Sequence, residues 1–198
     1  MVPPMAPKKP APAAKAAFNM TAFRDEFMDL IRAERFDDAD ELVEQTVADS
    51  PENAALRYEA GFNFSKKAKR LSGIRSLAPQ VEHLRVKAFE HFRKASDLEP
   101  NKYPYAFRAG MTGRQIARRE ALTYLTRAIA LDQSSAHPRV ELGMYHQNAN
   151  RASVAVACFE NALRLDHNDE LAQRMLYSMT QATTAAGPID WKPLAYKA

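Results

Sequence analysis

Three glycines recur in this chain at a fixed distance behind a helix stop: Gly61, Gly110 and Gly143 each lie ten residues after Pro51, Pro100 and Gln133. A second series keeps step with the first. Ala39, Val43, Thr46 and Pro51 stand in the same spacing as Ala88, Phe92, Ala95 and Pro100, as Ala121, Leu125, Ala128 and Gln133, and as Ala155, Phe159, Ala162 and His167. Residues three and four apart share one helix face, so each set presents a bulky side chain framed by small ones. Such faces let two helices approach closely, and their joint recurrence specifies several paired helices rather than one irregular bundle.

The best-formed copy is Ala136 to Asp169, in which Gly143 is followed at twelve, sixteen and nineteen residues by Ala155, Phe159 and Ala162. This pattern resembles the tetratricopeptide repeat, a helix–turn–helix of about 34 residues. The resemblance implies an all-α fold, a right-handed superhelix or α-solenoid, with a C-terminal capping helix over its last apolar face. The expected organisation is a Pro/Ala/Lys-rich arm over 1–18 and a repeat domain over 19–182. Its repeats fall near 20–53, 54–102, 103–135 and 136–169, its cap at 170–182, and an extended tail follows at 183–198. The copies are degenerate: Gln133 and His167 replace the terminating proline, Phe27 stands where later repeats carry glycine, and the aromatic expected near each repeat start is mostly missing. Thr21 or Asn19 is expected to cap the first helix.

One repeat is too long. Gly61 and Ala88 are 27 residues apart where Gly143 and Ala155 are twelve apart, leaving about fifteen extra residues near 66–80 (KKAKRLSGIRSLAPQ). They either lengthen both helices or form a projecting loop.

Size and charge restrict the function classes. At 198 residues and 46% hydrophobic, the chain suits one elongated domain. No stretch of eighteen apolar residues is present, so no membrane-spanning helix is expected. The start lacks the apolar block of a secretory signal, which points to an intracellular, cytoplasmic protein. An acid-free start up to Asp25 also suits mitochondrial targeting, although five prolines oppose the amphipathic helix such a segment needs. The lone Cys158 forms no internal disulfide and fits a small apolar slot. Eleven acids face two arginines between Asp25 and Glu52, while fifteen Lys and Arg face five acids between Lys66 and Arg127. The molecule is electrically bipolar, a property that steers partners without shaping the fold.

No catalytic arrangement stands out. Gly110 and Gly113 do not make a phosphate-cradling loop. The histidines at 83, 91, 137, 146 and 167 lack zinc-motif spacing, and no nucleophile turn is present. The expectation is a protein without catalytic residues, cofactor or metal.

The functional surface therefore comes from the resemblance. In tetratricopeptide proteins the first helix of each repeat lines a groove, and counting from the markers places Arg24, Met28, Tyr58, Phe62, Phe107, Met111, Val140 and Met144 inward. Some of these, Phe62 and Met28 first, could instead pack as core. A Met and aromatic row suits an amphipathic helix or a hydrophobic peptide and differs from the Lys/Arg and Asn clamp of carboxylate-binding co-chaperones. Lys66, Lys67, Lys69, Arg70, Arg75, Arg114, Arg118 and Arg119 form a basic surface for an acidic protein face. Nucleic acid ranks below protein because recognisable aromatics do not interleave with these cations. Trp191, Leu194 and Tyr196, with Ile189, make the tail a candidate docking peptide. The reading is a protein-interaction scaffold or adaptor, a non-catalytic subunit of a larger assembly. The alternative is a small chaperone that shields a hydrophobic client segment.

Overall fold

Asn19 starts the first helix by supplying the acceptor that its leading amides lack: its Oδ1 accepts from the Thr21 and Ala22 N–H groups at 3.0 and 3.2 Å. The structure is a computed structural model that describes residues 18–33 and 35–186. The basic arm and the tail anchors Trp191, Leu194 and Tyr196 lie outside the described residues. Contacts divide the chain into two units, one up to Thr46 and one from Val47 onward.

The first unit contains α1 (Met20–Arg32) and most of α2 (Phe36–Asp49). Phe23 and Phe27, one turn apart on α1, are buried with ring centroids 6.2 Å apart. Among the described side chains of α2 in this unit, Ala39 and Val43 are buried. Exposed i,i+3 pairs, Asp29 with Arg32 and Arg35 with Asp38, decorate its surface and contribute little to stability.

The second unit runs α3 (Ala54–Leu71), a short 3-10 turn (Arg75–Leu77), α4 (Ala78–Leu98), α5 (Tyr103–Gln115), α6 (Ala121–Leu131), α7 (His137–Asn148), α8 (Ala152–Leu165) and α9 (Glu170–Ala186). Each helix packs on the next, and α5 also packs on α7. The extra residues after Gly61 lengthen both partners: α3 has 18 residues and α4 has 21, against 12 and 14 in α7 and α8. Only the connection over 72–77 separates them.

The glycine series and the bulky series meet in space. A Cβ on Gly61 would lie 2.8 Å from the Phe92 ring, on Gly110 2.7 Å from Leu125, and on Gly143 2.6 Å from Phe159. Phe92, Leu125 and Phe159 are fully buried. Each bulky side chain thus fills the space its partner glycine leaves, and this contact brings the two helices of a pair together.

Helix ends follow local chemistry. Pro51 and Pro100 lie just beyond α2 and α4, as expected of residues that cannot continue a helix. Beyond α6 and α8, where proline is missing, Asp132 and Asp166 make the stop: each Oδ1 accepts a backbone N–H two residues on, from Ser134 and Asn168, at 3.0 Å. The other ends of these pairs share a second device. At the close of α5 and α7, Ala117 (φ 55°) and Asn150 (φ 57°) are left-handed. The next N–H reaches back five residues, from Arg118 to the Gly113 carbonyl and from Arg151 to the His146 carbonyl, the hydrogen-bond pattern of a Schellman motif. Asparagine tolerates this conformation, whereas alanine carries a Cβ clash in it. Ala117→Gly is expected to stabilise the chain by about 0.5–1 kcal/mol, read as a higher urea midpoint at unchanged slope; a lower midpoint would contradict the strain assigned to Ala117.

Polar ties join successive pairs. The Tyr124 hydroxyl donates to the Asp97 carboxylate at 3.1 Å, and Arg127 reaches the Ser96 carbonyl and hydroxyl at 3.1 and 2.9 Å. Burial, reinforced by Asp97, pushes the Tyr124 phenol up to about 12, so it stays a donor at any physiological pH. At the far end of the unit Ala172 of α9 enters the cluster of Ala136, Val140, Ala155, Phe159 and Ala162, and Met175, Leu176 and Met179 pack against it. This helix reaches Ala186, beyond the expected end at Ala182.

Candidate functional site

Helical spacing aligns the half-buried aromatics of the second unit into two groups. Tyr58 and Phe62, four apart on α3, stack with centroids 6.5 Å apart, and Tyr58 also meets Tyr105 of α5 at 4.8 Å. On α5, Tyr103 and Phe107 lie nearly parallel at 5.8 Å, with His137 of α7 edge-on to Phe107 at 6.4 Å. One group links α3 to α5 and the other links α5 to α7, and Met111 of α5 and Met144 of α7 are half-buried. Such rings and thioethers offer large contact areas with little loss of rotamer freedom.

Val140 does not belong to that face. It is 3% exposed, inside the cluster closed by α9. The counting rule that selects Tyr58 and Phe107 selects it too, but a valine side chain is too short to leave core depth. Met144 is half-buried against the same cluster. Arg24 and Met28 belong to the first unit and are exposed there.

The basic surface also changes. Arg114 is 15% exposed and donates through Nε to the Glu141 carboxylate of α7, so it joins two helices and is not a free cation. Burial raises the Glu141 carboxyl above the usual range even with that guanidinium beside it. Lys66, Lys69, Arg70, Arg75, Arg118 and Arg119 are exposed, and Lys67 is half-buried. Lys66 lies over the Phe62 ring at 4.6 Å and Arg108 lies over it at 5.3 Å, both within cation–π reach. These groups, with Ser65, Lys69, Arg85 and Met111, line a cleft of about 560 Å³ with an apolar floor and a cationic rim.

Sequence reasoning missed Tyr103, Tyr105, His137, Arg85 and Arg108. Tyr103 was accessible to it, standing one turn before Phe107 on the same face. Arg85 and Arg108 sit on different helices and meet only through the pairing of α4 with α5.

The remaining reactive side chains offer little. Burial pushes the Cys158 thiol up to about 11, so it carries no thiolate at neutral pH. His146 is 4% exposed, and neither ring nitrogen finds a hydrogen-bond partner among the described residues. Burial, then Arg151, holds its pKa below the ordinary value, which keeps it neutral. Among the described residues no three His, Cys, Asp or Glu side chains are placed to share a metal ion, and no helix is long and apolar enough to cross a membrane.

Known structures repeat this architecture. A crystal structure of MamA protein superposes with a TM-score of 0.64 at 18% identity, covering 84% of this chain and 85% of that one. The first TPR domain of human RPAP3 superposes with a TM-score of 0.50 at 16% identity, covering 63% of this chain and 93% of that domain. The chain has the tetratricopeptide-repeat fold. In sequence, the mouse (Mus musculus) protein DnaJ homolog subfamily C member 7 is 32% identical over 88 residues, 44% of this chain but only 18% of that relative's length. No family model matches the chain. At these identities the structural likenesses carry the fold alone, and the function of this repeat array rests on its own surface.

Proposed function

We propose that this chain is a protein-interaction module whose working surface is the aromatic and methionine face of α3, α5 and α7. One observation carries the reading: Phe62, Tyr105, Phe107 and Met111 remain half-buried and are not part of the Gly–bulky contacts that close the helix pairs, while Tyr58 joins them to the core ring of Phe92. Apolar side chains held rigidly at partial exposure suit anchors for a helix or extended peptide, with affinity drawn from burying a few of them. The basic rim adds orientation and on-rate. The same face lacks polar donors at Phe62, Met111 and Met144, which argues against a two-carboxylate clamp. The module acts by binding, as a scaffold or adaptor within an assembly. A chaperone for an apolar client segment would use the same face but release its client.

A random-peptide library panned on the immobilised full chain tests the reading. Enriched clones are expected to carry Leu, Phe or Trp at helical or alternate spacing. Phe107→Ser/Met111→Ser is expected to weaken them at least tenfold while helicity by circular dichroism is kept. Equal binding by the folded variant would remove the face from the mechanism.

A further inference from the structure

The cleft beside Phe62 is one of three that run into each other on the second unit. It shares Ser72, Arg85 and Gln115 with a neighbour of about 450 Å³, and that neighbour shares Ala117 with a third of about 470 Å³ that reaches Tyr145 and Arg151. The result is a furrow of three adjoining clefts, from the C-terminal half of α3, past the exposed Ala117 at the turn after α5, to the turn after α7. Arg114, held by Glu141, lines the third cleft, and six further cations edge the three: Lys66, Lys69, Arg85, Arg108, Arg119 and Arg151. Among the described residues Glu82 is the one carboxylate lining the three clefts.

Several other cations of this unit are paired with carboxylates: Arg93 with Glu90, Lys94 with Glu52, Lys102 with Glu99 and Arg127 with Asp97. Among the described residues the six cations of the furrow make no ion pair with a carboxylate. Like charges gathered along one line repel each other and raise a positive potential that a mobile counter-anion or an anionic partner relieves.

We propose that the furrow binds an extended acidic segment of a partner protein, with one apolar side chain of that segment seated on Phe62 and Met111. The proposal rests on the interaction-module reading and names the chemistry of its partner. Three features choose this occupant. The cations are spread over three clefts instead of converging on one point, so they match successive carboxylates along a chain rather than a single chain terminus. The floor at Phe62 and Met111 is apolar, which a purely charged polymer leaves uncovered. Single-stranded nucleic acid stacks successive bases on successive aromatic rings, whereas among the described residues the aromatic lining is Phe62 in the first cleft and Tyr145 in the third, with none in the cleft between.

The test uses the full chain and two labelled peptides of about fifteen residues, acetylated and amidated at their ends. One carries a central leucine flanked by glutamates, and the other has glutamine at every glutamate position. By fluorescence anisotropy the glutamate peptide is expected to bind at least tenfold tighter than the glutamine peptide in low salt, with the advantage shrinking as salt rises. Arg85→Ala/Arg119→Ala is expected to weaken the glutamate peptide about tenfold and leave the glutamine peptide unchanged, with circular dichroism confirming the fold. Equal affinity for both peptides overturns the furrow while the aromatic face stands. Binding that requires a free C-terminal carboxylate also overturns it, as does tighter binding of a thymidine 15-mer than of the glutamate peptide. Salt-sensitive self-association by sedimentation velocity that shuts out the glutamate peptide gives the furrow to the acidic stretch of a second copy, and this too overturns the proposal. If neither peptide binds, the furrow is excluded, and the library panning then decides separately whether the aromatic face binds anything.

Discussion

Gly110→Ala is expected to lower stability by about 2 kcal/mol, although alanine is the better helix former by about 1 kcal/mol. The added Cβ would stand 2.7 Å from Leu125 Cγ and Cδ2 and 2.9 Å from the Leu125 backbone nitrogen. The first two contacts could ease if the leucine changed rotamer; the third requires α6 to move away from α5. Leu125 is fully buried, so neither adjustment is free, and overpacking of this kind costs about 1–3 kcal/mol or more. Gly73 supplies the control. A Cβ there meets nothing within 4 Å, so Gly73→Ala is expected to be neutral or to stabilise by a few tenths of a kcal/mol by restricting the unfolded chain. Urea denaturation of the two variants should therefore move the midpoint in opposite directions or leave only Gly73→Ala unmoved. Gly143→Ala adds a second check, because there the three nearest atoms all belong to the Phe159 ring, at 2.6–2.8 Å. A smaller partner, Phe159→Leu, should restore part of the loss when combined with it, a coupling that a double-mutant cycle measures. If Gly110→Ala raised the midpoint as Gly73→Ala does, the close approach of α5 and α6 would be wrong.

That glycine register was the most legible part of the fold, because small and bulky residues that must touch leave correlated marks in sequence. The repeats without a terminating proline were harder, yet their stops have a local cause: Asp132 and Asp166 bond to amides two residues on, a signal available in the Asp-x-Ser and Asp-x-Asn triplets. The long second pair was legible as an excess of residues but not as helix, because periodicity through KKAKRLSGIRSLAPQ is weak and the lengthening is set by α3 and α4 packing on each other. The candidate site was less legible for a different reason. Counting turns from a marker finds the inward face of a helix but not the depth of burial, so Val140 and Phe107 look alike until α9 is seen to close over one of them. Charge counting likewise treated Arg114 and Arg119 as equals. Only contact between α5 and α7 reveals that one is consumed by Glu141 and the other is not.

Arg114→Met carries the largest expected electrostatic effect, and its pH dependence separates the ion pair from ordinary packing. The Glu141 side chain is 12% exposed, and burial already holds its carboxyl above the usual range while Arg114 pulls the other way. Removing the guanidinium leaves the burial and deletes the attraction, so the folded-state pKa of Glu141 rises further. An acid whose folded pKa lies above its unfolded value favours the folded state fully below the unfolded pKa and loses that advantage as pH rises through the folded pKa. The variant is therefore expected to lose about 2–3 kcal/mol at pH 7, where Glu141 would be a buried, unpaired carboxylate, and much less near pH 4, where it is protonated. A cavity or packing defect would cost the same at both pH values. Arg114→Met/Glu141→Leu should recover most of the stability at neutral pH, because an apolar pair of similar volume replaces two charges that had to be desolvated. Thermal unfolding of the three proteins at pH 4 and pH 7 decides the matter. A pH-independent loss in the single variant would show that Arg114 holds α5 to α7 by its methylene stem, and that the charge pair contributes little.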